Sequence, residues 1–402
     1  MLQPPLTGIR VLDLTQLISG PYCTKLLADY GADVIKVEPL SGDPQRAELP
    51  FKGDEAHPEK SGSFLHLNTN KRGITLDVTT RIGRGILMAL VDQAQVVVEG
   101  FAPSTSRALD LDFAHLTDGR DDLVVVSISD FGQSGPYRDR KTSEIVTYAM
   151  GGPMFATGLP EREPLKLGES VIQYHAGACA ASATAIAIWK METTGEGDHV
   201  DFSLFRAQAA NQDRRTTMLV GYQYTGEDNQ RKLGSTVPGT GVRICGDGYI
   251  HFMAGEGKIE NMARMMGHPE ILEDARFSSP MARSRPTASD EFDEYLLPFT
   301  LQHTKRELFQ IAQAHQIPSG PLYDSSDLLK DPVFSDRGMW ETVSHPVAGD
   351  VAQVARPFIM YGSPRRQTKA APLLGQHNVE VLCGLLGLSL EDLAGLRREG
   401  VA

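Results

Sequence analysis

Short, almost wholly apolar strands that alternate with helical segments are the feature that most restricts how this chain can fold. The first strand is "IRVLDLT" (9–15), and the helical segment "GPYCTKLLADYGA" follows it, with Pro21 near its start and Gly31 at its end. Proline early in a helix and glycine just after it are the usual signals of helix bounds. The next strand, "DVIKVE", comes so soon after this helix that parallel pairing with the first strand is predicted.

The alternation continues along the first part of the chain. Further strands are predicted over residues 72–78, 94–101 and 122–132, with a helix at "RIGRGILMALVDQ". Runs such as "QVVVE" and "LVVVSI" show no inside–outside alternation, which is typical of strands covered on both faces. The predicted fold class is therefore α/β, with an open, parallel, Rossmann-like sheet.

The character of the sequence changes after about residue 215. "GVRICGDGYIHFMAG" predicts an antiparallel hairpin that turns at 246–248, and helices are predicted around "KIENMARMMG" and "TKRELFQIAQAHQ". The Pro- and Ser-rich segment "FSSPMARSRPTASD" between those helices is predicted to be a loop. The tail "VEVLCGLLGLSLEDLAGLRREG" is predicted to be helical, with Ser389 as an N-cap. A smaller α+β domain is thus expected after the parallel sheet.

Composition and missing motifs exclude several classes of protein. A net charge of -12 over 402 residues argues against a nucleic-acid partner, which needs a basic face. The four cysteines are far apart and form no CxxC or zinc spacing, and HExxH, GxGxxG, GxxxxGK[ST] and GxSxG are absent. The apolar stretch 176–189 is predicted to be a buried helix, too short to span a bilayer. We therefore expect a cytoplasmic protein with no metal, no nucleotide cofactor and no membrane contact.

Cations cluster where the predicted strands end. The segments "KVEPLSGDPQR", "NTNKRG" and "EGFAPSTSR" place Lys36, Arg46, Lys71, Arg72 and Arg107 beside strands. In an open parallel sheet, ligands bind in the crevice beyond the carboxyl ends of the strands. Together these residues favour a phosphorylated ligand, whereas for any one of them alone solvated surface charge is the favoured interpretation.

Longer segments carry a resemblance to a known family. "LISGPYCTKLLADYGADVIKVEPLSGDPQR", "NTNKRGITLDV", "SISDFGQSGPYRDR" and "TTGEGDHVDFSLF", in this order, resemble the class III coenzyme A transferases, which include formyl-CoA and carnitine CoA-transferases and the α-methylacyl-CoA racemases. The resemblance covers nearly the whole chain. It implies a large CoA-binding domain from residues 1–215 and 330–402, an inserted small domain at 225–325, connecting segments 216–224 and 326–329, and an interlocked dimer.

The resemblance also implies a reaction that needs a carboxylate. In the family an aspartate attacks the acyl-CoA thioester to give a mixed anhydride. CoA thiolate returns to form an aspartyl-CoA thioester, from which the acceptor acid takes over the CoA. The family motif is Ser-x-x-Asp-(Tyr/His)-x-x-Gly, and here it reads "SVIQYHAG" (170–177). Gln173 therefore occupies the position of the nucleophile, and a carboxamide is a poor nucleophile.

Three hypotheses account for Gln173. In the first, this chain is the non-nucleophilic subunit of a heterodimer or α2β2 transferase, similar to succinyl-CoA:benzylsuccinate CoA-transferase of anaerobic toluene breakdown. A homologous partner then carries the aspartate and an organic acid accepts the CoA. In the second, a homodimer uses another carboxylate, Glu169 or Glu144. In the third, the chain binds acyl-CoA without turnover.

Other departures from the family pattern concern the CoA site and the racemase branch. The family's Glu-Asn-Phe-Arg-Pro-Gly reads "EGFAPS" here, so an amide and a cation are missing at Gly100 and Ala102. The racemases' histidine and acid are replaced by Ser143 and Glu144, which argues against racemase activity. The residues predicted to contact CoA or acyl-CoA are Gln16, Lys36, Arg46, Asn70, Lys71, Arg72, Phe101 and Arg107.

Overall fold

The computed structural model describes residues 3–210, 220–227, 231, 237–364 and 367–402. The chain divides into two compact units. The first comprises Met1–Thr157, Pro164–Asn229 and Arg337–Ala402, and the second comprises Gly158–Glu163 and Gln230–Asp336. The second unit thus takes in a short earlier segment and extends past the expected end at 325, so that 326–329 lies inside it. Residues 216–219 of the predicted connecting segment 216–224 lie outside the described residues.

A parallel sheet of six strands organises the first unit, as predicted. Its spatial order is β3-β2-β1-β4-β5-β6, and every neighbouring pair runs parallel. This order reverses direction between β1 and β4, which is the topological switch point of a doubly wound sheet. The strands are β1 Arg10–Leu14, β2 Asp33–Glu38, β3 Arg72–Thr75, β4 Val96–Glu99, β5 Val124–Ser129 and β6 Asp198–Ser203.

Helices cover both faces of this sheet, and each face has its own apolar core. On one side, Val11 and Val96 pack with Leu27 and Ala180; on the other, Leu12 packs among residues of two further helices and the C-terminal segment. Full burial of such side chains contributes roughly 1.5–3 kcal/mol each. The helices of this unit up to residue 210 are α1 Ser19–Asp29, α2 Gly62–Leu67, α3 Arg81–Val91, α4 Pro103–Ala108, α5 Phe113–Leu116, α6 Glu144–Met150, α7 Val171–Thr194 and α8 Leu204–Ala210.

Helix α7 is longer than the helix predicted from the apolar stretch 176–189. Its 24 residues make it long and apolar enough to cross a membrane by length and composition, so the expectation that it is too short was wrong. It packs closely on α1 because Gly177 has no side chain: a Cβ there would lie 2.5 Å from the carbonyl oxygen of Ser19. One face, which includes Ala176 and Ala180, is buried, whereas Ile186 and Trp189 on another face are exposed.

The second unit contains the predicted hairpin, formed by β7 Gly241–Cys245 and β8 Gly248–Phe252, with β9 Ser319–Pro321 as a third strand. The segment predicted to be a loop is partly helical instead. Ser279 caps one helix by accepting a hydrogen bond from the Ala282 N–H, and Pro280 occupies its first turn, a start signal that the overall composition obscured. The helices of this unit are α9 Ile259–Met266, α10 Pro280–Arg283, α11 Ala288–Thr300, α12 Lys305–Ala314, α13 Ser325–Lys330 and α14 Pro332–Asp336.

The C-terminal part of the chain returns to the first unit. It forms an antiparallel pair, β10 Trp340–His345 and β11 Gly349–Val354, and then a π-helical turn at Val379–Cys383. The predicted continuous helix is broken because Gly387 has a φ of 77°, and α15 Leu390–Arg398 begins after it. Ser389 caps α15 as predicted, in a reciprocal capping box with Asp392.

Candidate active site

A cavity of the first unit lies at the carboxyl ends of β1, β4 and β5, at the switch point of the sheet. Its volume is about 670 Å³. Loops after these three strands form much of its wall, and the first residues of α6 and α7 complete it. The lining residues are Thr15, Gln16, Leu17, Ser19, Gly20, Gly100, Phe101, Ala102, Pro103, Ser104, Thr105, Ile128, Ser129, Asp130, Arg138, Asp139, Arg140, Lys141, Thr142, Ser143, Glu144, Gln173 and Leu204.

Gln173 lies in the first turn of α7 and lines this cavity. The N-cap residue of that helix, Ser170, makes no side-chain capping bond. Glu144 takes over the task from α6: its Oε1 accepts a hydrogen bond of 2.9 Å from the Ile172 N–H. A carboxylate at a helix N-terminus accepts a hydrogen bond from a backbone N–H that has no partner within the helix, and its negative charge interacts favourably with the helix dipole. Glu144 and Gln173, far apart in sequence, thus belong to one site.

The two alternative carboxylates differ sharply in position. Glu144 lines the cavity, and its Oε2 is buried without a hydrogen-bond partner among the described residues. Lys166 lies 3.7 Å from Oε1. Glu169 is exposed, adopts a φ of 56° and does not line the cavity. Of the two, only Glu144 is placed to meet a ligand next to Gln173.

Three of the predicted phosphate-binding cations, Lys36, Arg46 and Lys71, are buried, at 0%, 3% and 3% exposure, and none lines the cavity. Lys36 lies 2.9 Å from Asp43, and Lys71 lies 2.9 Å from Asp13. Solvated surface charge, the alternative expected from the sequence, is therefore wrong for these three. Each serves a buried ion pair within the chain.

Arg46 is the most completely bound of these cations. Its guanidinium donates two hydrogen bonds to Glu38, at 2.7 and 2.8 Å, and a third to Glu59 at 2.7 Å. It also lies over the Phe64 ring, 3.7 Å from the centroid. Two parallel N–H···O bonds to one carboxylate are the strongest arrangement available to arginine.

Of the other residues predicted to contact CoA, two line the cavity wall and three lie outside it. Gln16 and Phe101 line the cavity. Arg72 is paired with Asp33 and Glu380, and Asn70 donates to Asp29, so neither reaches the cavity wall. Arg107 is exposed on α4, 3.6 Å from Asp139, and does not line the cavity.

Sequence reasoning missed a second group of cations. Arg138, Arg140 and Lys141 all line the cavity and are exposed. Arg138 pairs with Asp139 at 3.0 Å, whereas Arg140 and Lys141 form no ion pair within the described residues. The signal was present as "RDRK" (138–141), whose first three residues belong to a segment that carried the family resemblance, but no strand ends there.

The pKa values of two buried carboxylates near the strand ends are shifted in opposite directions because their neighbours differ. Burial alone raises the pKa of Asp13, but the charges of Lys71 and Lys36 and hydrogen bonds from Thr15 and Thr24 bring it well below its usual range. Glu99, at the end of β4, has no such cation. Burial raises its pKa to about 7, although the Ser127 hydroxyl and the Phe101 N–H donate to it. In the described part of the chain, no group of three or more His, Cys, Asp or Glu is arranged to hold a metal ion.

Comparison with known proteins identifies the family to which this chain belongs. The model of CoA-transferase family III matches residues 6–378. The chain is 32% identical over 403 residues to succinyl-CoA–D-citramalate CoA-transferase of Chloroflexus aurantiacus, covering 99% of this chain and 98% of that protein. It is 33% identical over 413 residues to formyl-CoA:oxalate CoA-transferase of Streptomyces avermitilis, covering 98% and 99%. The chain therefore belongs to CoA-transferase family III and is a transferase enzyme.

The solved structures give the same result for the fold. A CaiB/BaiF family protein from Brucella suis superposes with a TM-score of 0.81 at 29% identity, covering 95% of this chain and 100% of that one. The mixed α/β fold predicted from the sequence is thereby confirmed.

Proposed function

We propose that this chain is the subunit of a class III CoA-transferase that lacks the nucleophile. The enzyme moves CoA from an acyl-CoA, with succinyl-CoA as the proposed donor, to an organic acid, and a homologous partner carries the catalytic aspartate. The observation that carries this proposal is Gln173, which lines the cavity at the position where the family's motif has its aspartate. Its neutral amide cannot form the anhydride and thioester intermediates.

The proposed position of the CoA follows from the charges around the cavity. Arg140 and Lys141 are the exposed wall cations without an ion pair in the described residues, so they are available for phosphate groups. They lie in the same cavity as Gly100 and Ala102, where the family's amide and cation are missing. The CoA phosphates are therefore assigned to Arg140 and Lys141, and the thioester to the part of the cavity wall that contains Gln173 and Glu144.

A homologous partner in an interlocked dimer would cover apolar surface that this chain leaves exposed. Ile145 and Met150 on α6 are 51% and 44% exposed, and Ile186 and Trp189 on α7 are each 70% exposed. Contiguous exposed apolar surface on a folded protein commonly marks an interface. The exposure supports assembly with another chain.

The test is to express the chain alone and together with a homologous chain that has the aspartate. We expect CoA transfer from succinyl-CoA only from the co-expressed pair. In the same assay the chain alone with Gln173→Asp should gain activity, by at least about a hundredfold over the unaltered chain, because nucleophile losses in enzymes are of that size or larger. Gln173→Asn is the matched control and should remain inactive. Full activity of the unaltered chain on its own would contradict the proposal.

A homomeric enzyme that uses Glu144 is the second candidate. It is favoured by the free Oε2 of Glu144 in the cavity wall, and it is opposed by the hydrogen bond that holds Oε1 to the Ile172 N–H. Incubation with succinyl-CoA followed by borohydride or hydroxylamine and peptide mass mapping separates the two. A label on Glu144 that disappears in Glu144→Gln establishes the second candidate, and a label on Glu169 revives the other carboxylate.

Binding of acyl-CoA without turnover is the remaining alternative. It predicts heat of binding for succinyl-CoA in calorimetry but no transfer with any partner chain. Transfer by a co-expressed pair eliminates it.

A further inference from the structure

The loop between β1 and α1 forms one wall of the cavity and carries Gln16. The backbone conformation of this loop is restrictive at two positions. Leu17 adopts a φ of 65°, which is uncommon for a residue with a side chain. At Gly20 a Cβ would lie 2.2 Å from the Cβ of Thr15, so only glycine fits the turn. A conformation of this kind persists only where surrounding groups hold it.

Two buried charged side chains form hydrogen bonds with the main chain on both sides of Gln16. Before it, the Thr15 carbonyl accepts a hydrogen bond of 2.9 Å from Lys36 Nζ. After it, the Leu17 N–H donates to Asp43 Oδ1 at 3.0 Å. Lys36 and Asp43 also form an ion pair of 2.9 Å in which both side chains are fully buried. The main chain flanking Gln16 is thus bound to the two members of one ion pair.

Neither member of this ion pair can contact a ligand directly, because both are enclosed and neither lines the cavity. A buried ion pair is also weak evidence of a stabilising role, since well-packed apolar residues of similar volume often serve as well or better. What apolar residues cannot supply is a donor to the Thr15 carbonyl and an acceptor for the Leu17 N–H.

We propose that Lys36 and Asp43 are positioning residues, which fix the backbone of the β1–α1 loop so that Gln16 meets acyl-CoA in a single geometry. The proposal rests on the proposed function, in which acyl-CoA occupies this cavity. The two residues act through Gln16, so their contribution to binding disappears when Gln16 is removed.

A double-mutant cycle tests this dependence, with calorimetric titration of free CoA as the measurement. Asp43→Ala should weaken CoA binding about tenfold, but on a Gln16→Ala background by less than about twofold, as expected for coupled residues. Asp43→Asn keeps an oxygen for the Leu17 N–H and should restore affinity to within about threefold. Equal losses in both backgrounds, or no rescue by asparagine, would overturn the proposal.

Lys25 provides a matched control for Lys36. It forms a buried ion pair of 2.6 Å with Asp29 in the same unit, away from the cavity wall. Lys36→Met should weaken CoA binding about tenfold. Lys25→Met removes an equally buried charge and should leave CoA binding unchanged. Equal effects of the two substitutions would show that general destabilisation, rather than positioning, reduces the affinity.

A second measurement separates this inference from the proposed function. If the unaltered chain binds no CoA, the proposed function fails, whereas the loop can still be examined by amide hydrogen exchange. Faster exchange of the Leu17 amide in Asp43→Ala than in Asp43→Asn supports positioning. Equal exchange in the two variants overturns it.

Discussion

Two groups of cations in the first unit look alike in the sequence and have opposite environments in the structure. Lys36 lies in β2, Arg46 follows that strand and Lys71 precedes β3. All three are buried in ion pairs. Arg140 and Lys141 lie in a long connection, exposed and without an ion pair in the described residues. The difference teaches that a lysine or arginine near a strand end is evidence of a phosphate site only if it forms no ion pair with a carboxylate of the same chain.

The largest expected effect on stability comes from removing one cation of the buried group. Lys71→Met leaves Asp13 charged and enclosed without its direct partner, and breaking a buried pair in this way costs about 3–5 kcal/mol of unfolding free energy. Urea denaturation measures the loss. The double variant Asp13→Asn with Lys71→Met removes both charges and should be more stable than Lys71→Met alone. A Lys71→Met protein of unchanged stability but weakened CoA affinity would make Lys71 a ligand contact and break the comparison.

The next effect concerns a buried carboxylate that lacks a cation. Since the folded pKa of Glu99 is raised to about 7 from 4.5, the folded state binds more protons between those values. Its contribution to stability is therefore full below pH 4.5 and is lost as the pH rises through 7, a change of about 3 kcal/mol. Glu99→Gln retains an acceptor for the Phe101 N–H and should flatten this part of the curve of unfolding free energy against pH. Identical curves for the two proteins would show that Glu99 does not titrate in this range.

The smallest expected effect on stability concerns the exposed group. Arg140→Ala with Lys141→Ala should change the unfolding free energy by no more than about 0.5 kcal/mol, because surface charges contribute little. CoA affinity should fall about tenfold at low salt and less at high salt, because exposed charges are screened. Arg81→Ala, an exposed cation on α3, is the matched control and should leave CoA binding unchanged. Unaltered CoA affinity in the double variant would remove these two residues from the proposed phosphate site.

Periodicity made the parallel sheet predictable. Strands such as "VVVE" and "VVVSIS" are buried throughout because helices cover both faces, and the sequence shows this as an absence of alternation. Local start signals were also legible, as at Ser389, whose capping box depends on residues three positions apart. The same local reasoning failed at Ser279 and Pro280, where an equivalent helix start was hidden among other turn-forming residues.

The candidate site was predictable only in part. The position of Gln173 followed from a motif, and Gln16 and Phe101 do line the cavity with it. The cap that Glu144 gives to α7, and the cations of "RDRK", were not foreseen as parts of the site because they come from a long connection with no regular pattern. Contacts between residues far apart in the chain leave no periodic trace in the sequence.

By itself, the sequence determined that this protein is α/β and that it resembles the class III CoA-transferases, because these properties depend on residue type and local order. The same motif reasoning predicts that Gln173 occupies the position of the family's nucleophile. The tertiary structure decided which charges are free. Asp13 and Lys71 meet only when β1 and the segment before β3 are brought together, and Lys36 reaches Asp43 only across the end of β2. Whether a charged side chain binds a ligand or its own chain depends on distances in three dimensions, since Coulomb attraction and desolvation both depend on what surrounds the charge.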